Sequence, residues 1–321
     1  MSALVAGWGI AVASAAYRPV GFGSHHWEVA GPDGARWFVT VDELDTKRHS
    51  RDEPLDAAFG RLRAALGAAR ALHGHGGTFA VAPVPTVRGE PVARVGDRFA
   101  VALYPFVDGR SFGWGEFDTP AHRRAVFDLV LAVHAAPTVV NRHAMTDGFA
   151  IPHRDELDAA LDGAGEVAGR GPYGRAAASL VAENAGPIRR LLAHYDELAE
   201  LGHAQPSRMV LTHGEPHPGN TMLTGDGWRL IDWETALVAP PERDLWSLDP
   251  GDGSVLRDYA DATGVTPLPD LLRLYRIRWD LADIAIEVRR FRRPHAGSAD
   301  DDQGWQVLHS QVTHLAAGRT G

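Results

Sequence analysis

The chain has 321 residues, 45% of them hydrophobic and 23% charged, with no cysteine and a formal net charge of -9. That length and balance suit a globular protein of two lobes and exclude a collagen-like, disordered or coiled-coil chain; the missing thiols exclude disulfides, thiolate catalysis and cysteine-ligated metals, and fit a cytoplasmic protein. An acidic chain lacks the clustered cations of a general nucleic-acid binder, and no run of about eighteen apolar residues spans a membrane, so neither nucleic acid nor membrane is an expected partner.

The first stretch, MSALVAGWGIAVASAAY, is apolar and carries the small-x-small pattern Ala13-Ser14-Ala15. No Lys or Arg precedes Arg18, however, and a secretory signal needs a positive n-region. Residues 13 to 104 read as a five-stranded antiparallel sheet with one helix. A first strand leads through a turn at Gly21 and Gly23 to a second through Trp27 and Val29, and a Pro-Asp-Gly turn leads to a third in WFVTV. Apolar residues at Leu55, Phe59, Leu62, Leu66 and Leu72 then recur at helical spacing up to Gly74. Two more strands flank Gly96-Asp97. The small lobe is expected over residues 1–104 and a mainly helical lobe over 105–321.

Past Gly109 the pattern is helical. Thr119-Pro120 is an N-cap and N1 pair that opens a helix closed by Pro137. Further helices are expected from Arg154 to Ala164, from Gly174 to Leu201 with a break at Gly186-Pro187, and from Pro269 to Phe291. His134 reads as a satisfied helix-end residue. The run Asp300-Asp301-Asp302 reads as a solvated loop. Within this half lies a short β element, SRMVLTHGEPHPGNTMLTGDGWRLIDWE: a strand, a loop from His213 to Asn220, and a hairpin turning at Gly225-Asp226-Gly227.

That loop admits three readings. His213, Glu215 and His217 are metal ligands with Asp232 as a fourth, which needs an extended strand that Pro216 and Pro218 oppose. Alternatively the segment is a proline-rich turn. In the third reading it performs phosphoryl transfer, with one carboxylate orienting a hydroxyl while an amide and a second carboxylate hold Mg²⁺ against nucleotide phosphates.

These residues carry a resemblance. The spacing His213-x-Glu215-x-x-x-x-Asn220, Asp232 in LIDWE, PERDLW around Asp244 and VALYPFVDG together resemble the aminoglycoside phosphotransferase superfamily, relatives of protein kinases that include choline, fructosamine and homoserine kinases. The resemblance covers roughly residues 15 to 290. It implies an α+β, bilobal protein-kinase-like fold and a phosphotransferase that moves the γ-phosphoryl group of ATP or GTP to a small-molecule acceptor. It implies that Glu215 is the catalytic carboxylate, that His213 supports the loop, that Asn220 and Asp232 hold Mg²⁺, and that Asp244 anchors the catalytic loop. The strand joining the lobes meets the adenine edge. Because Pro105 has no N–H, the Tyr104 carbonyl and the Phe106 N–H are assigned to it.

Two departures stand out. The family's third strand carries a lysine paired to a glutamate on the helix, and this chain has Thr40 there with no glutamate between Leu55 and Leu72. Phosphate contacts are then expected from Lys47, the only lysine, from Arg61 or Arg63, or from the turn Gly21–Gly23 with Ser24. Glu215 also replaces the family's aspartate, one methylene shorter. The departures sustain a rival reading, a kinase-like nucleotide- or metabolite-binding protein with little or no activity. For the acceptor, Asp280, Asp283 and Glu287 share one helix face and either bind the amines of a cationic molecule or pair with Arg276 and Arg290.

Overall fold

The structure, a computed structural model, describes residues 2–21, 23–163 and 171–316. Phe22 of the glycine turn and Ala164, the last residue of the helix expected from Arg154, lie outside the described residues. The chain divides into two compact units, one of Met1–Lys47, Pro54–Asp147 and Ser207–Pro267, the other of Arg48–Glu53, Gly148–Pro206 and Leu268–Gly321.

The first unit opens with helix α1 (Ser2–Trp8) and strands β1 (Ser14–Arg18), β2 (His25–Ala30) and β3 (Arg36–Glu43). Helix α2 (Leu55–Gly74) and strands β4 (Ala93–Val95) and β5 (Phe99–Pro105) follow. The five strands form one antiparallel sheet in the order β1-β2-β3-β5-β4, as the sequence leads one to expect. Alternation along β5 assigns its two faces. Val101 and Leu103 pack with Val29, Val39, Leu4 and Trp8, and Ala100 and Ala102 pack with Leu62, Ala65, Leu66 and Ala69 of α2. The apolar first residues are thus a helix of the sheet's core, with Trp8 Nε1 donating to the Val84 carbonyl at 2.8 Å. Each buried Val or Leu among these contributes on the order of 1.5–3 kcal/mol.

Further along lie β6 (Arg110–Ser111), α3 (Pro120–His134) and α4 (Thr138–Asn141). Thr119 caps α3, its hydroxyl accepting the His122 N–H at 3.1 Å. The last part of this unit holds β7 (Val210–Thr212), β8 (Thr221–Thr224), β9 (Gly227–Leu230) and β10 (Leu237–Ala239), then α8 (Glu242–Leu245) and α9 (Ser254–Thr263). β6, β8 and β9 make a small sheet, and β10 pairs with β7, so the loop between β7 and β8 is held at both ends.

The second unit consists of α5 (Arg154–Leu161), α6 (Gly174–Glu183), α7 (Ala185–His203), α10 (Pro269–Phe291) and α11 (Ala299–Ala316). The helix break falls at Asn184 rather than at Gly186-Pro187. Pro187 is then in the first turn of α7, where its missing N–H costs nothing. Asp300, Asp301 and Asp302 do not form a loop but the first turn of α11, where acids meet the positive helix end. Asp301 caps it, accepting from the N–H groups of Gly297 (3.0 Å) and Ser298 (2.9 Å). No helix among the described residues is long and apolar enough to cross a membrane.

Candidate active site

β7 delivers the chain into the loop His213–Asn220. Asp244, fully buried in α8, accepts the N–H groups of His213 (2.9 Å) and Gly214 (2.6 Å) on its two oxygens, and His134 Nε2 at the end of α3 lies 3.1 Å from it. The Tyr259 hydroxyl sits 3.1 Å from the other nitrogen of His134. Burial raises the pKa of Asp244, but the hydrogen bond and charge of His134, then Arg243 and His213, hold it below the usual carboxylate range. Gly214 has φ +100°, and a Cβ there would collide with the Arg243 guanidinium, itself fixed by Thr212 Oγ1 (2.9 Å) and the Thr235 carbonyl (2.7 Å).

His213 is buried, with Nε2 2.9 Å from the Ile231 carbonyl and Nδ1 accepting the Glu215 N–H at 3.3 Å, which selects the Nε2–H tautomer. Both ring nitrogens are engaged, so His213 is no metal ligand. Burial pulls its pKa down to about 4. As pH falls from about 6.5 the unfolded chain takes up a proton that the native ring refuses, and stability declines through that window.

Glu215 is a third exposed, its carboxylate 3.8 Å from His217 Nε2. Burial raises its pKa, but His217, His213 and Arg243 more than offset that, so it is a carboxylate at neutral pH. Asn220 Nδ2 donates to the Glu215 carbonyl (2.9 Å), and the Ile231 N–H donates to the Asn220 carbonyl (2.9 Å), which ties Asn220 to the residue before Asp232. Asp232 adopts φ +61°, a conformation uncommon outside glycine. Surrounding protein together with the carboxylates of Glu234 and Glu215 pushes its pKa up to about 8, against the opposing charge of Lys47. An amide oxygen and a carboxyl crowded by other acids suit a hard divalent cation. Among the described residues no group of three or more His, Asp and Glu side chains can hold a metal, so phosphate oxygens and water would complete the shell of such an ion.

On the sheet side, Thr40 and Asp42 share a face of β3, opposite Ala102 and Ala100. Thr40 Oγ1 is 3.3 Å from His26 Nδ1. Lys47, folded back by the turn after β3, reaches Glu234 Oε2 (2.6 Å), Asp42 Oδ1 (3.2 Å) and Ser24 Oγ (3.2 Å). Ser24 in turn donates to Asp42 at 2.5 Å. The other two cations lie elsewhere: Arg61 binds the Lys47 carbonyl (2.7 Å) and Arg63 lies 3.5 Å from Glu90. Gly21 and Gly23, where the sequence reads a glycine-bearing turn, hold the left-handed φ values +72° and +83°.

The link after β5 requires a correction. The Phe106 N–H donates to the Arg36 carbonyl at 3.2 Å, and Tyr104 stands opposite Phe38 two residues back, so in an antiparallel ladder the backbone of both faces β3. Neither offers its polar groups to an adenine edge. The Pro105 carbonyl, between these two positions on the ladder, faces away from β3.

The acidic helix face belongs to the second unit and is closed by α11. Glu287 is buried against Gly304 and bonds Arg290 at 2.7 Å, while Gln311 donates to Asp283 at 3.1 Å. The structural reading of these two acids therefore replaces the acceptor-binding one. Asp280 is mostly covered, and burial pushes its pKa up to about 6 against Arg276 and His314. A raised carboxyl pKa weakens the fold as pH climbs from about 4 to about 6. Asp280→Asn is therefore expected to add about 1–3 kcal/mol at pH 7 and nothing below pH 4, read from urea unfolding at both.

Sequence reasoning did not pair Lys47 with Asp42 and Glu234, although the alternation Thr40-x-Asp42 and the spacing Asp232-x-Glu234 contained the signal. It also passed over Trp114, 74% exposed between Gly113 and Gly115, whose ring lies 6.5 Å from that of His217.

Comparison with known proteins follows the same lines. The profile of a family described as "Phosphotransferase enzyme family" matches residues 17–285. Protein StrN of Streptomyces griseus is 34% identical over 244 residues, which cover 72% of this chain and 70% of that protein. Spectinomycin phosphotransferase APH(9)-Ia, solved with ADP and spectinomycin, superposes with a TM-score of 0.71 at 16% identity over 100% of this chain and 97% of its own. The amicoumacin kinase hAmiN, solved with AMP-PNP and Ca²⁺, reaches 0.59 at 13% identity, covering 99% and 92%. At such identities the likeness establishes the α+β, protein-kinase-like fold.

Proposed function

The chain belongs to the phosphotransferase enzyme family, and from that premise we propose that it transfers the γ-phosphoryl group of ATP or GTP to a hydroxyl of a small, amine-bearing molecule, an aminoglycoside-like antibiotic or a related metabolite, in the cytoplasm. The observation that carries this reading is the convergence on one pinned loop: Asn220 bonds the Glu215 carbonyl and the strand leading to Asp232 bonds Asn220. Phosphoryl transfer asks the protein mainly for position and charge neutralisation.

In this reading residues 1–104 form the nucleotide-binding lobe and residues 105–321 carry the catalytic loop. Pro105 and Val107 meet the base, while Gly21, Gly23, Ser24 and Lys47 lie along the phosphates. Asn220 and Asp232 hold Mg²⁺, which when bound neutralises phosphate charge. Glu215 accepts a hydrogen bond from the acceptor hydroxyl and takes its proton as the hydroxyl oxygen bonds to the γ-phosphorus and the bond to the bridging oxygen breaks, releasing the nucleoside diphosphate; His213 keeps the loop backbone in place. Trp114 offers a face on which the acceptor can stack beside His217. The position of Lys47 supports an enzyme over a non-catalytic binding protein, because a cation stands near Asp232 although Thr40 does not supply one.

A panel of aminocyclitols including spectinomycin, aminoglycosides, peptide antibiotics and amino alcohols, incubated with Mg²⁺ and ATP or GTP, is expected to yield a phosphorylated product by mass spectrometry. Binding of Mg²⁺ and nucleotide with no product from any member would favour the non-catalytic alternative.

A further inference from the structure

Lys47 is the chain's only lysine, its side chain 18% exposed, and three acceptors meet its ammonium: Glu234, Asp42 and Ser24. Of the three ammonium donors two meet carboxylates, and the third meets only a neutral hydroxyl, whose place a phosphate oxygen can take. The acceptors come from β3, from the turn before β2 and from the turn after β9, the last only two residues beyond Asp232. The inward face of α2 contributes nothing charged; it is Leu62, Ala65, Leu66, Ala68, Ala69 and Leu72. A surface pair would be worth little, but here a mostly covered cation lies beside a site crowded with carboxylates, where its place is decided by the acids that hold it.

We propose that Asp42 and Glu234 are positioning residues that hold Lys47 for the phosphates of the bound nucleotide, so that Glu234 links this cation to the turn carrying Asp232. The proposal rests on the phosphotransferase reading of the site. A long lysine side chain has substantial rotamer entropy to lose on binding. Two carboxylates that fix it beforehand remove that cost from nucleotide binding, as a rigid site does in general. Ser24 completes the arrangement: donating to Asp42 and accepting from Lys47, it joins the glycine turn to the same cation.

A double-mutant cycle tests this by calorimetry with Mg²⁺ and ATP or GTP, and with the bare nucleoside as control. Lys47→Met is expected to weaken triphosphate binding at least tenfold and to leave nucleoside binding unchanged, and Lys47→Arg to restore part of the loss. In the Asp42→Asn/Glu234→Gln background the same Lys47→Met change is expected to cost less than threefold, because the lysine there is no longer held. That background with Lys47→Met buries no charge at these three positions, so its folding does not depend on the ion pairs. An equal cost of Lys47→Met in both backgrounds would overturn the positioning role of the acids, as would an equal loss of nucleoside and triphosphate binding. If the wild type binds neither nucleotide, the phosphotransferase reading itself fails, a result distinct from normal binding that ignores Lys47.

Discussion

Asp244→Ala is expected to unfold the catalytic loop first and most of the protein's activity with it. The carboxylate is fully buried, and its removal strands the N–H groups of His213 and Gly214 and the His134 nitrogen. Each buried donor without an acceptor costs about 1–3 kcal/mol, and breaking a buried charged network costs about 3–5 kcal/mol in total. A domain stable by about 5–15 kcal/mol can survive that loss. The variant should fold with a lowered urea midpoint while phosphoryl transfer falls at least a thousandfold, since a misplacement of about 1 Å costs about a hundredfold before the loop disorders further. Because the pKa of Asp244 is held below the ordinary range, its contribution is in place above pH of about 4 and is lost as pH falls. Wild-type activity in Asp244→Ala, or an unchanged urea midpoint, would show that the loop is held by other contacts.

Asp232→Asn is expected to move function and stability in opposite directions. The substitution keeps a side chain tolerated at φ +61° and removes a carboxyl whose ionisation the surrounding protein and the acids Glu234 and Glu215 oppose. In the absence of divalent cation the variant should melt at a higher temperature than the wild type at neutral pH. With Mg²⁺ and nucleotide it should lose most of the metal dependence of binding, and transfer should drop by about a thousandfold, in line with the several kcal/mol that a bound cation contributes to phosphoryl charge. Sites that trade stability for chemistry behave in this way. A variant that melts no higher and keeps metal-dependent binding would remove Asp232 from the metal site.

Much of this is legible in the sequence. Turn and strand signals give all five strands of the sheet, and the family resemblance carried by His213 to Asn220, Asp232 and Asp244 points to the loop and to its anchor, which the structure finds in Asp244. The misses have physical causes. The assignment of Tyr104 and Phe106 went to the wrong side of the ladder because composition does not say which edge of β5 a neighbour occupies; the Arg36 carbonyl decides it. Lys47 meets Glu234 across 187 residues, a contact that no local pattern announces. The acids Asp283 and Glu287 looked available because α11 was not foreseen, and it was not foreseen because its first turn, Asp300 to Asp302, reads as a charged loop until Asp301 is seen capping a helix. The apolar opening segment had too few residues to show a period, yet Leu4 and Trp8 fall on one face and pack on the sheet.

In the proposed reaction Glu215 acts on an acceptor hydroxyl as the γ-phosphoryl group is transferred. Its most direct test follows the label from nucleotide carrying ³²P at the γ or the α position into an acceptor found by the panel, for the wild type and Glu215→Gln at matched nucleotide occupancy. Transfer of the γ label alone is expected, slowed about 10²–10⁴-fold by Glu215→Gln with nucleotide affinity little changed; transfer of the γ label at the wild-type rate by Glu215→Gln would remove Glu215 from the reaction.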